Sequence, residues 1–331
     1  MATYLLTGAT GTVGPRVVQT LSAAGNRVRI LSRGAPQAGL LPGDVEVCSG
    51  DITNLRTVQS AMQGVDVVMH LAALLHLVDL PPDLRERYQQ VNVGGTATVV
   101  QAALQEGVKR LVFFSTITVY GGANGRVVTE DTPPQPDTLY GQTKLAAEHI
   151  VLQARRSNGQ PLGTILRLGP VYGARMKGNY RRLVQALAQS RFIPIGGGYN
   201  HRPLIYDRDV ARAVVLAAQH PTAAGRVYNV CDGQCYSLND IITTICGTLG
   251  RQPPRFALPV CPVRWAVGLL EDTARLVGYQ SPIGRATIEK YIEDLPVDSQ
   301  RIHTELGFTP QFDLQAGWRE TIQEMRRNGE L

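Results

Sequence analysis

The chain has 331 residues, of which 44% are hydrophobic and 18% are charged, and this balance excludes an intrinsically disordered protein. Its formal net charge of +6 comes from lysines and arginines scattered along the chain, which favours an anionic small ligand over a nucleic-acid partner. The five cysteines form no CxxC pair and have no paired histidines nearby, so we expect neither a disulfide framework nor a metal site.

Targeting and membrane signals are weak in this sequence. A strand is predicted from residue 3, so we expect no signal peptide and a cytoplasmic location. The longest apolar run is too short and too interrupted to span a bilayer. The segment from Pro262 to Val277 is amphipathic, and we expect it to pack on its own domain, with no membrane partner.

The start of the chain predicts a buried strand that runs through a glycine-rich turn into a helix. Gly8 would permit a sharp turn, Gly11 close approach of backbone N–H groups to a pyrophosphate, and Gly14 tight packing of the helix on the strand. The helix would direct its partial positive charge at the phosphates. We therefore expect a dinucleotide to contact Gly8, Thr10, Gly11, Thr12, Val13 and Gly14.

This turn departs from two phosphate-binding patterns. A P-loop requires Gly-Lys-Ser/Thr, whereas the chain has Gly14-Pro15-Arg16. The glycine spacing is one residue wider than G-x-G-x-x-G, so a plain glycine-rich turn is the alternative. The motifs that follow decide between the two interpretations.

The second predicted strand, residues 27–33, ends without the carboxylate that would bind the ribose diol of NAD. Ser32 and Arg33 stand at its end, and a hydroxyl beside a planar cation suits the 2′-phosphate of NADP. A solvated arginine at a strand end is the alternative. The sequence predicts NAD or NADP as cofactor, and Arg33 favours NADP.

Two more predicted strands lead to the same edge of the sheet. Residues 45–50 lead to Asp51 and Ile52, and a crossover helix connects them to residues 65–73. The latter strand ends in residues against whose backbone a cofactor could lie, namely Leu71, Ala72 and Ala73. Residues 83–106 are then predicted to be helical.

The strongest chemical signal lies after a buried strand predicted over residues 110–121. Tyr140 and Lys144 are four residues apart on a predicted helix and therefore share one face. A phenol can act as a base at neutral pH only if a cation stabilises its anion, and Lys144 would supply that cation. Thr116, near a strand end, could bind the reacting oxygen. Y-x-x-x-K also occurs by chance on surface helices, so the pair gains meaning only from its surroundings.

The alternation of strands and helices continues to residues 164–168 and gives about six βα units. The predicted fold class is therefore α/β, with a doubly wound parallel sheet of Rossmann type and a smaller, mixed C-terminal lobe. We expect a dinucleotide-binding domain over residues 1–170, to which residues 204–232 return. Residues 171–203 and 233–331 would form the substrate-binding lobe.

These motifs resemble those of extended short-chain dehydrogenases/reductases, in the NAD-dependent epimerase/dehydratase family. The resemblance covers nearly the whole chain and implies that Thr116, Tyr140 and Lys144 are catalytic. It also implies that Asp51 and Ile52 contact the adenine side and that Tyr140 and Lys144 contact the cofactor. The matching segments are Thr7–Gly14, His70–Ala73, Val91–Thr96 with the cofactor-binding Asn92, Phe114–Gly121, Arg167, Val171–Gly173, Arg202–Tyr206, Asp209–Ala211, Tyr228–Val230 and Leu306–Phe308.

Two positions depart from the family pattern: the acidic residue after the second strand is absent, and Pro170 replaces the Asn often found before Val-Tyr-Gly. The resemblance places Asn179 and Arg202 where members of the family contact the uridine and diphosphate of a nucleotide sugar. A surface salt bridge is the alternative for Arg202. His76 could line the substrate cleft, or it could be a solvated loop residue.

The resulting hypothesis is an NAD(P)-dependent 4-epimerase of a nucleoside-diphosphate sugar, with a UDP-sugar as the expected substrate and a homodimer as the expected assembly. Tyr140 would exchange the hydroxyl proton while hydride moves to and from the nicotinamide. The alternative is an NADP-dependent reductase or dehydrogenase of a keto-sugar or of a non-nucleotide ketone. A third hypothesis is an inactive NADP-sensing or scaffold protein.

Overall fold

The computed structural model describes residues 1–75, 84–123, 125–276 and 284–331. Seven parallel strands form the central sheet in the order β10-β6-β5-β4-β1-β2-β3. The strands are β1 (Thr3–Thr7), β2 (Arg27–Ser32), β3 (Glu46–Ser49), β4 (Val67–His70), β5 (Arg110–Thr116), β6 (Gly163–Leu168), β7 (Val171–Tyr172), β8 (His201–Pro203), β9 (Ile205–Tyr206), β10 (Val227–Val230) and β11 (Cys235–Ser237). The predicted doubly wound α/β fold is confirmed.

Helices cover both faces of this sheet and build the C-terminal lobe. Within the described residues they are α1 (Gly14–Ala23), α2 (Leu55–Met62), α3 (Leu84–Tyr88), α4 (Gly95–Gln105), α5 (Leu139–Gln153), α6 (Asn179–Ala188), α7 (Asp207–Gln219), α8 (Leu238–Leu249), α9 (Val260–Leu276), α10 (Arg285–Ile292), α11 (Gln300–Leu306) and α12 (Leu314–Arg327). In this part of the chain we find no helix that combines the length and the apolar character needed to cross a bilayer.

The central strands β5 and β6 are buried along almost their whole length, as expected of parallel strands covered by helices on both faces. One face of the sheet packs on α1, α7 and α11, and the other packs on α2, α4 and α5. A separate apolar cluster around Trp318 fills the C-terminal lobe. Strand β10 lies in the segment that was predicted to return to the first domain, and it pairs with β6 in the sheet. Helix α11, which was assigned to the other lobe, packs on the same face of the sheet. The two-domain division stays a prediction.

Two predicted elements end differently in the structure. The strand expected over residues 110–121 ends at Thr116, because the Thr116 hydroxyl accepts the Thr118 N–H and starts a 3₁₀ turn, Ile117–Tyr120. The helix expected over residues 83–106 contains a π-helical turn, Gln89–Gly94, between α3 and α4. Such a turn widens the helix by one residue and is often found at functional sites.

The junction of β1 and α1 tests the role of glycine in this fold. A Cβ atom on Gly14 would lie 2.3 Å from the Ala9 carbonyl oxygen, which is backbone and cannot rotate away. We expect Gly14→Ala to destabilise the protein by about 1–3 kcal/mol. Gly247→Ala, inside α8, is the matched control, because outside its own stretch of helix no atom lies within 4 Å of the new Cβ, and it should stabilise the protein by about 0.5–1 kcal/mol. Urea unfolding of both variants measures the difference, and an equal effect of the two substitutions would contradict this account.

Candidate active site

The glycine turn is built by close backbone contacts. Gly8 has a φ of +74°, and a Cβ atom there would lie 2.6 Å from the Ala72 nitrogen, so the turn rests directly on the chain after β4. The Gly11 N–H donates to the Gly8 carbonyl at 3.0 Å and is therefore used within the turn. Gly8 and Gly14 thus have the packing roles expected of them, whereas the Gly11 N–H serves the turn itself.

The N-terminus of α1 offers backbone donors to an anion. Among the described residues, no carbonyl or side chain accepts a hydrogen bond from the N–H groups of Thr12, Val13 or Gly14. Pro15 follows without an N–H, and the first turn of α1 contains no acidic residue that would compete with an anion. Free N–H groups at a helix N-terminus fit a pyrophosphate, so the chain has a suitable place for a dinucleotide.

The ends of β2 and β3 lie side by side, where the adenosine half of such a ligand is expected. The Ser32 hydroxyl donates to the Gly34 carbonyl at 2.7 Å, whereas the exposed Arg33 has no hydrogen-bond or ion-pair partner in the described chain. Asp51 accepts bonds from the backbone and hydroxyl of Thr53 with a single carboxylate oxygen. Ile52 is buried next to the start of α4.

His70, a buried histidine at the end of β4 that was not predicted as a site residue, connects β1 with the start of α4. Thr96 Oγ1 donates to the Asn92 carbonyl at 2.6 Å, so it accepts from His70 Nε2 at 3.1 Å. His70 Nδ1 then accepts from Thr7 Oγ1 at 2.6 Å, and Thr7 Oγ1 accepts from the Ala72 N–H at 3.2 Å. Because Nε2 donates and Nδ1 accepts, the imidazole of His70 carries a single proton and is neutral. Burial, together with the nearby Lys144, lowers the pKa of His70 to about 3.

Asn92 continues the same chain of hydrogen bonds toward the helix α5. Its side-chain amide accepts from the Leu74 N–H at 2.7 Å and donates to the Leu74 carbonyl at 3.1 Å. It also donates to Thr143 Oγ1 at 3.2 Å, and that hydroxyl donates to the Tyr140 carbonyl at 3.0 Å. These hydrogen bonds therefore connect the chain after β4 with the start of α5. A polar His70 inside an otherwise apolar strand was the sequence signal for it.

Helix α5 begins next to the end of β5. Thr138 caps the helix by accepting the Gly141 N–H at 3.1 Å. A Cβ atom on Gly141 would lie 2.9 Å from the Thr118 carbonyl, so this glycine lets the helix touch the turn that follows Thr116. The first turns of α5, which contain Tyr140 and Lys144, therefore lie next to the end of the strand that carries Thr116.

The hydroxyl of Thr116 is half-buried and pairs with the Thr118 hydroxyl at 2.9 Å. The same Thr116 oxygen accepts the Thr118 N–H at 3.2 Å. This arrangement fixes the hydroxyl at the carboxyl end of a central strand, where ligands bind in open α/β sheets. Thr118 was not selected from the sequence, although it lies two residues from a selected one.

The electrostatics of the helix face are dominated by burial. Burial raises the pKa of Tyr140 above its ordinary value, and Tyr88, whose ring centre is 6.4 Å away, adds to the rise. Burial lowers the pKa of Lys144 to about 7, which Glu148 partly opposes. The Lys144 ammonium lies 3.9 Å from the centre of the Phe113 ring. In the protein alone, burial therefore outweighs the lowering of the Tyr140 pKa that we expected from Lys144.

A buried ion pair anchors α5 one turn beyond Lys144. Arg167 donates to Glu148 from Nη2 at 2.7 Å and from Nε at 3.1 Å, and Ser115 donates to the same carboxylate. Arg167 Nη1 also donates to the Tyr120 hydroxyl at 2.9 Å. Because both charges are buried and hydrogen-bonded, removal of either partner would leave an uncompensated charge inside the protein.

The expected substrate residues are only partly described. Asn179 is exposed at the start of α6, and His76 lies outside the described residues. Arg202 Nη2 donates to the carbonyls of Lys290 and Tyr291 at 2.6 and 2.9 Å. Arg202 Nη1 lies 3.6 Å from Glu293, so the salt bridge that was the alternative interpretation is present.

The burial of Lys144 predicts a pH dependence of stability. Above about pH 7 the folded state releases the Lys144 proton, while the unfolded state holds it up to the ordinary pKa of 10.5. The unfolded state then binds more protons, so stability rises with pH in this window. Relative to Lys144→Met, the wild type should gain about 2 kcal/mol between about pH 7 and pH 9. Urea unfolding across this range gives the difference, with the exposed-lysine variant Lys109→Met as control, and a constant gap between wild type and Lys144→Met would refute the prediction.

Comparisons with a family model, with related proteins and with solved structures all point to one family. The model of the family described as "NAD dependent epimerase/dehydratase family" matches residues 4–231. An N-acetyl-α-D-glucosaminyl-diphospho-ditrans,octacis-undecaprenol 4-epimerase from Escherichia coli O157:H7 is 27% identical, over 96% of this chain and 94% of that protein. A 3β-hydroxysteroid dehydrogenase/Δ5→4-isomerase from Mycobacterium tuberculosis is 27% identical, over 96% and 89%.

A solved structure also resembles this chain over nearly its whole length. The structure of MoeE5 in complex with UDP-glucose and NAD matches with a TM-score of 0.75 and 28% identity, over 98% of this chain and 99% of that one. The predicted family, the enzymatic nature of the chain and its nicotinamide cofactor class are thereby confirmed. The relatives include both an epimerase and a dehydrogenase, so they leave the reaction open.

Proposed function

Because the chain belongs to the NAD-dependent epimerase/dehydratase family, we propose that it epimerises C4 of a nucleoside-diphosphate sugar through a 4-keto intermediate. The observation that carries the proposal is the junction of α5 with the end of β5. There Gly141 touches Thr118, so the end of α5 that carries Tyr140 lies against the turn that follows Thr116. The glycine turn after β1 lies at the same edge of the sheet.

We assign the cofactor to the carboxyl edge of the sheet. The free N–H groups of Thr12, Val13 and Gly14 would hold the pyrophosphate, and Gly8, Thr10 and Gly11 would shape the turn beneath it. When bound, the nicotinamide supplies the hydride transfer. The other residues proposed for this ligand are Ser32, Arg33, Asp51, Ile52, Leu71, Ala72, Ala73, Asn92, Tyr140 and Lys144.

Tyr140 is the proposed carrier of the C4 hydroxyl proton, and Thr116 is the proposed hydrogen-bond partner of the same oxygen. Because burial raises the pKa of Tyr140, its phenolate requires a positive charge nearby. Lys144, one helical turn away and with a pKa near 7, can hold such a charge at neutral pH. Its buried position keeps water away from the charge, which strengthens the interaction.

The diphosphate of the substrate requires a fixed cation, because a buried charge is costly unless it is paired. Arg202 is the proposed partner, since among the described residues its Nε has no hydrogen-bond acceptor and its Nη1 has only the Glu293 carboxylate at 3.6 Å. Asn179 and His76 are proposed as further substrate contacts. The homodimer also stays a proposal.

A specific observation favours a second candidate function, an NADP-dependent reductase or dehydrogenase. Arg33 is exposed and without a partner in the described chain, and Ser32 stands where NAD-binding sites place a carboxylate. Such a site fits the 2′-phosphate of NADP, which commonly serves net reduction.

The two functions are distinguished by incubating the purified protein with UDP-glucose or UDP-galactose and analysing the products and the bound nucleotide. Epimerisation predicts conversion of each sugar into the other without net change in the cofactor, which is released only on denaturation. Net NADPH consumption with a ketone, and no interconversion of the UDP-sugars, would establish the reductase instead.

Replacement of Tyr140 by Phe tests the proton carrier. The ring and its packing are kept while the hydroxyl is lost, so turnover should fall by about 10²- to 10⁴-fold with cofactor binding retained. Steady-state kinetics and cofactor titration measure both effects. Tyr4→Phe, which removes the hydroxyl of a tyrosine buried in the core, is the control. Near-normal turnover of Tyr140→Phe would remove this residue from the mechanism.

Replacement of Arg33 by Met tests the cofactor preference. If Arg33 binds the 2′-phosphate, the variant should lose about tenfold or more in NADP affinity while NAD affinity changes little. Calorimetric titration of both cofactors into stripped protein measures the two constants. Arg27→Met, at the opposite end of the same strand, is the control. Equal affinities of the wild type for NAD and NADP would exclude this role for Arg33.

A further inference from the structure

The helix α9 exposes apolar side chains that a surface helix normally buries. Trp265 is 81% exposed, Leu269 is 62% exposed and Leu270 is 61% exposed. Val263 and Val267 are half-buried and Gly268 is buried, so the helix has a separate apolar side that it turns to its own domain. This differs from our expectation that the tryptophan and leucines of this segment pack on their own domain. Exposed aromatic and aliphatic side chains that lie together on a helix often mark a contact with a partner.

Further exposed apolar side chains lie on the segments next to the start of this helix. Phe256, which is 84% exposed, and Leu258, which is 45% exposed, directly precede α9. Leu258 exchanges two backbone hydrogen bonds with the neighbouring loop, at 2.7 Å from Gly196 N–H and at 2.8 Å to the Pro194 carbonyl. This loop, residues 193–199, carries the exposed Ile193 and Tyr199. We call the set Ile193, Tyr199, Phe256, Leu258, Trp265, Leu269 and Leu270 the α9 face.

Charges around the α9 face are mainly positive. Arg191, Arg251 and Arg255 are exposed on the segments that carry or adjoin it, and in the described chain none of them has an acidic partner. The carboxylates of Glu271 and Asp272 are paired with Arg285, and Glu289 is paired with Arg264. The surface therefore combines projecting aromatic and aliphatic groups with unpaired arginines.

We propose that the α9 face docks on a membrane surface that contains anionic phospholipids. Trp, Phe and Leu side chains favour the boundary between headgroups and acyl chains, and arginines beside them attract phosphate groups. A second copy of the chain fits this face less well. A two-fold contact through it would join two surfaces that both carry mainly positive charge. The docking is peripheral and adds a location to the enzyme without changing its chemistry.

Vesicle sedimentation tests the proposal with the full-length protein. Vesicles of phosphatidylcholine with and without phosphatidylglycerol are compared at low and high salt. The wild type should sediment with the anionic vesicles and be released by salt. Trp265→Ser/Leu269→Ser should reduce binding by about tenfold or more. Arg251→Gln/Arg255→Gln should reduce binding to the anionic vesicles alone.

The control is Val47→Ser/Val127→Ser, which removes two exposed apolar side chains, 48% and 62% exposed, outside the α9 face. Circular dichroism and light scattering of each variant report its fold and size. The proposal is overturned if the wild type binds neither vesicle, or if both double variants bind as the wild type does. It is also overturned if Trp265→Ser/Leu269→Ser converts a wild-type dimer into a monomer, since the face would then belong to a second copy.

Discussion

The start of helix α5 depends on one chain of buried hydrogen bonds. It begins at the Ala72 N–H, passes through Thr7, His70 and Thr96, and reaches the π-helical turn at the carbonyl of Asn92. The Asn92 side chain extends it through Thr143 to the Tyr140 carbonyl. Because buried polar groups are costly when unpaired, these hydrogen bonds fix the end of β4 and the start of α5 relative to each other. The same hydrogen bonds therefore fix both the position of Tyr140, the proposed proton carrier, and the position of the chain after β4.

Burial in the same region favours the neutral forms of His70 and Lys144. A protonated His70 would add a cation near Lys144, and the neutral form fixed by its two threonine partners avoids this. Each unit of a pKa shift corresponds to about 1.4 kcal/mol, so holding Lys144 inside the protein opposes folding by several times that amount. The paired Glu148 and Arg167 add a fixed carboxylate one turn away. Such opposition to folding is typical of sites arranged for chemistry rather than for stability.

The motifs of the sequence predicted the family and the sheet because they depend on local spacing. Gly8 and Gly14 lie at the two ends of the connection between β1 and α1, and Tyr140 and Lys144 are one helical turn apart, so each pair has a local geometric meaning. The end of the strand at Thr116 and the π-helical turn were not predicted. At both places a side chain bonds to a backbone group, Thr116 to the Thr118 N–H and Thr96 to the Asn92 carbonyl. Such bonds compete with regular structure without changing the hydrophobic pattern.

The sequence by itself determined the α/β class, the glycine turn and the two residues on one face of α5, because period and spacing fix them before any long-range contact forms. Only the tertiary structure decided the neutral state of His70, the engagement of Arg202 by the end of α10 and the exposure of Trp265. Each of these depends on residues far apart in the chain or on the absence of a neighbour. The burial of a side chain and its hydrogen-bond partners depend on the packed protein, so they cannot be predicted from the neighbouring residues in the sequence.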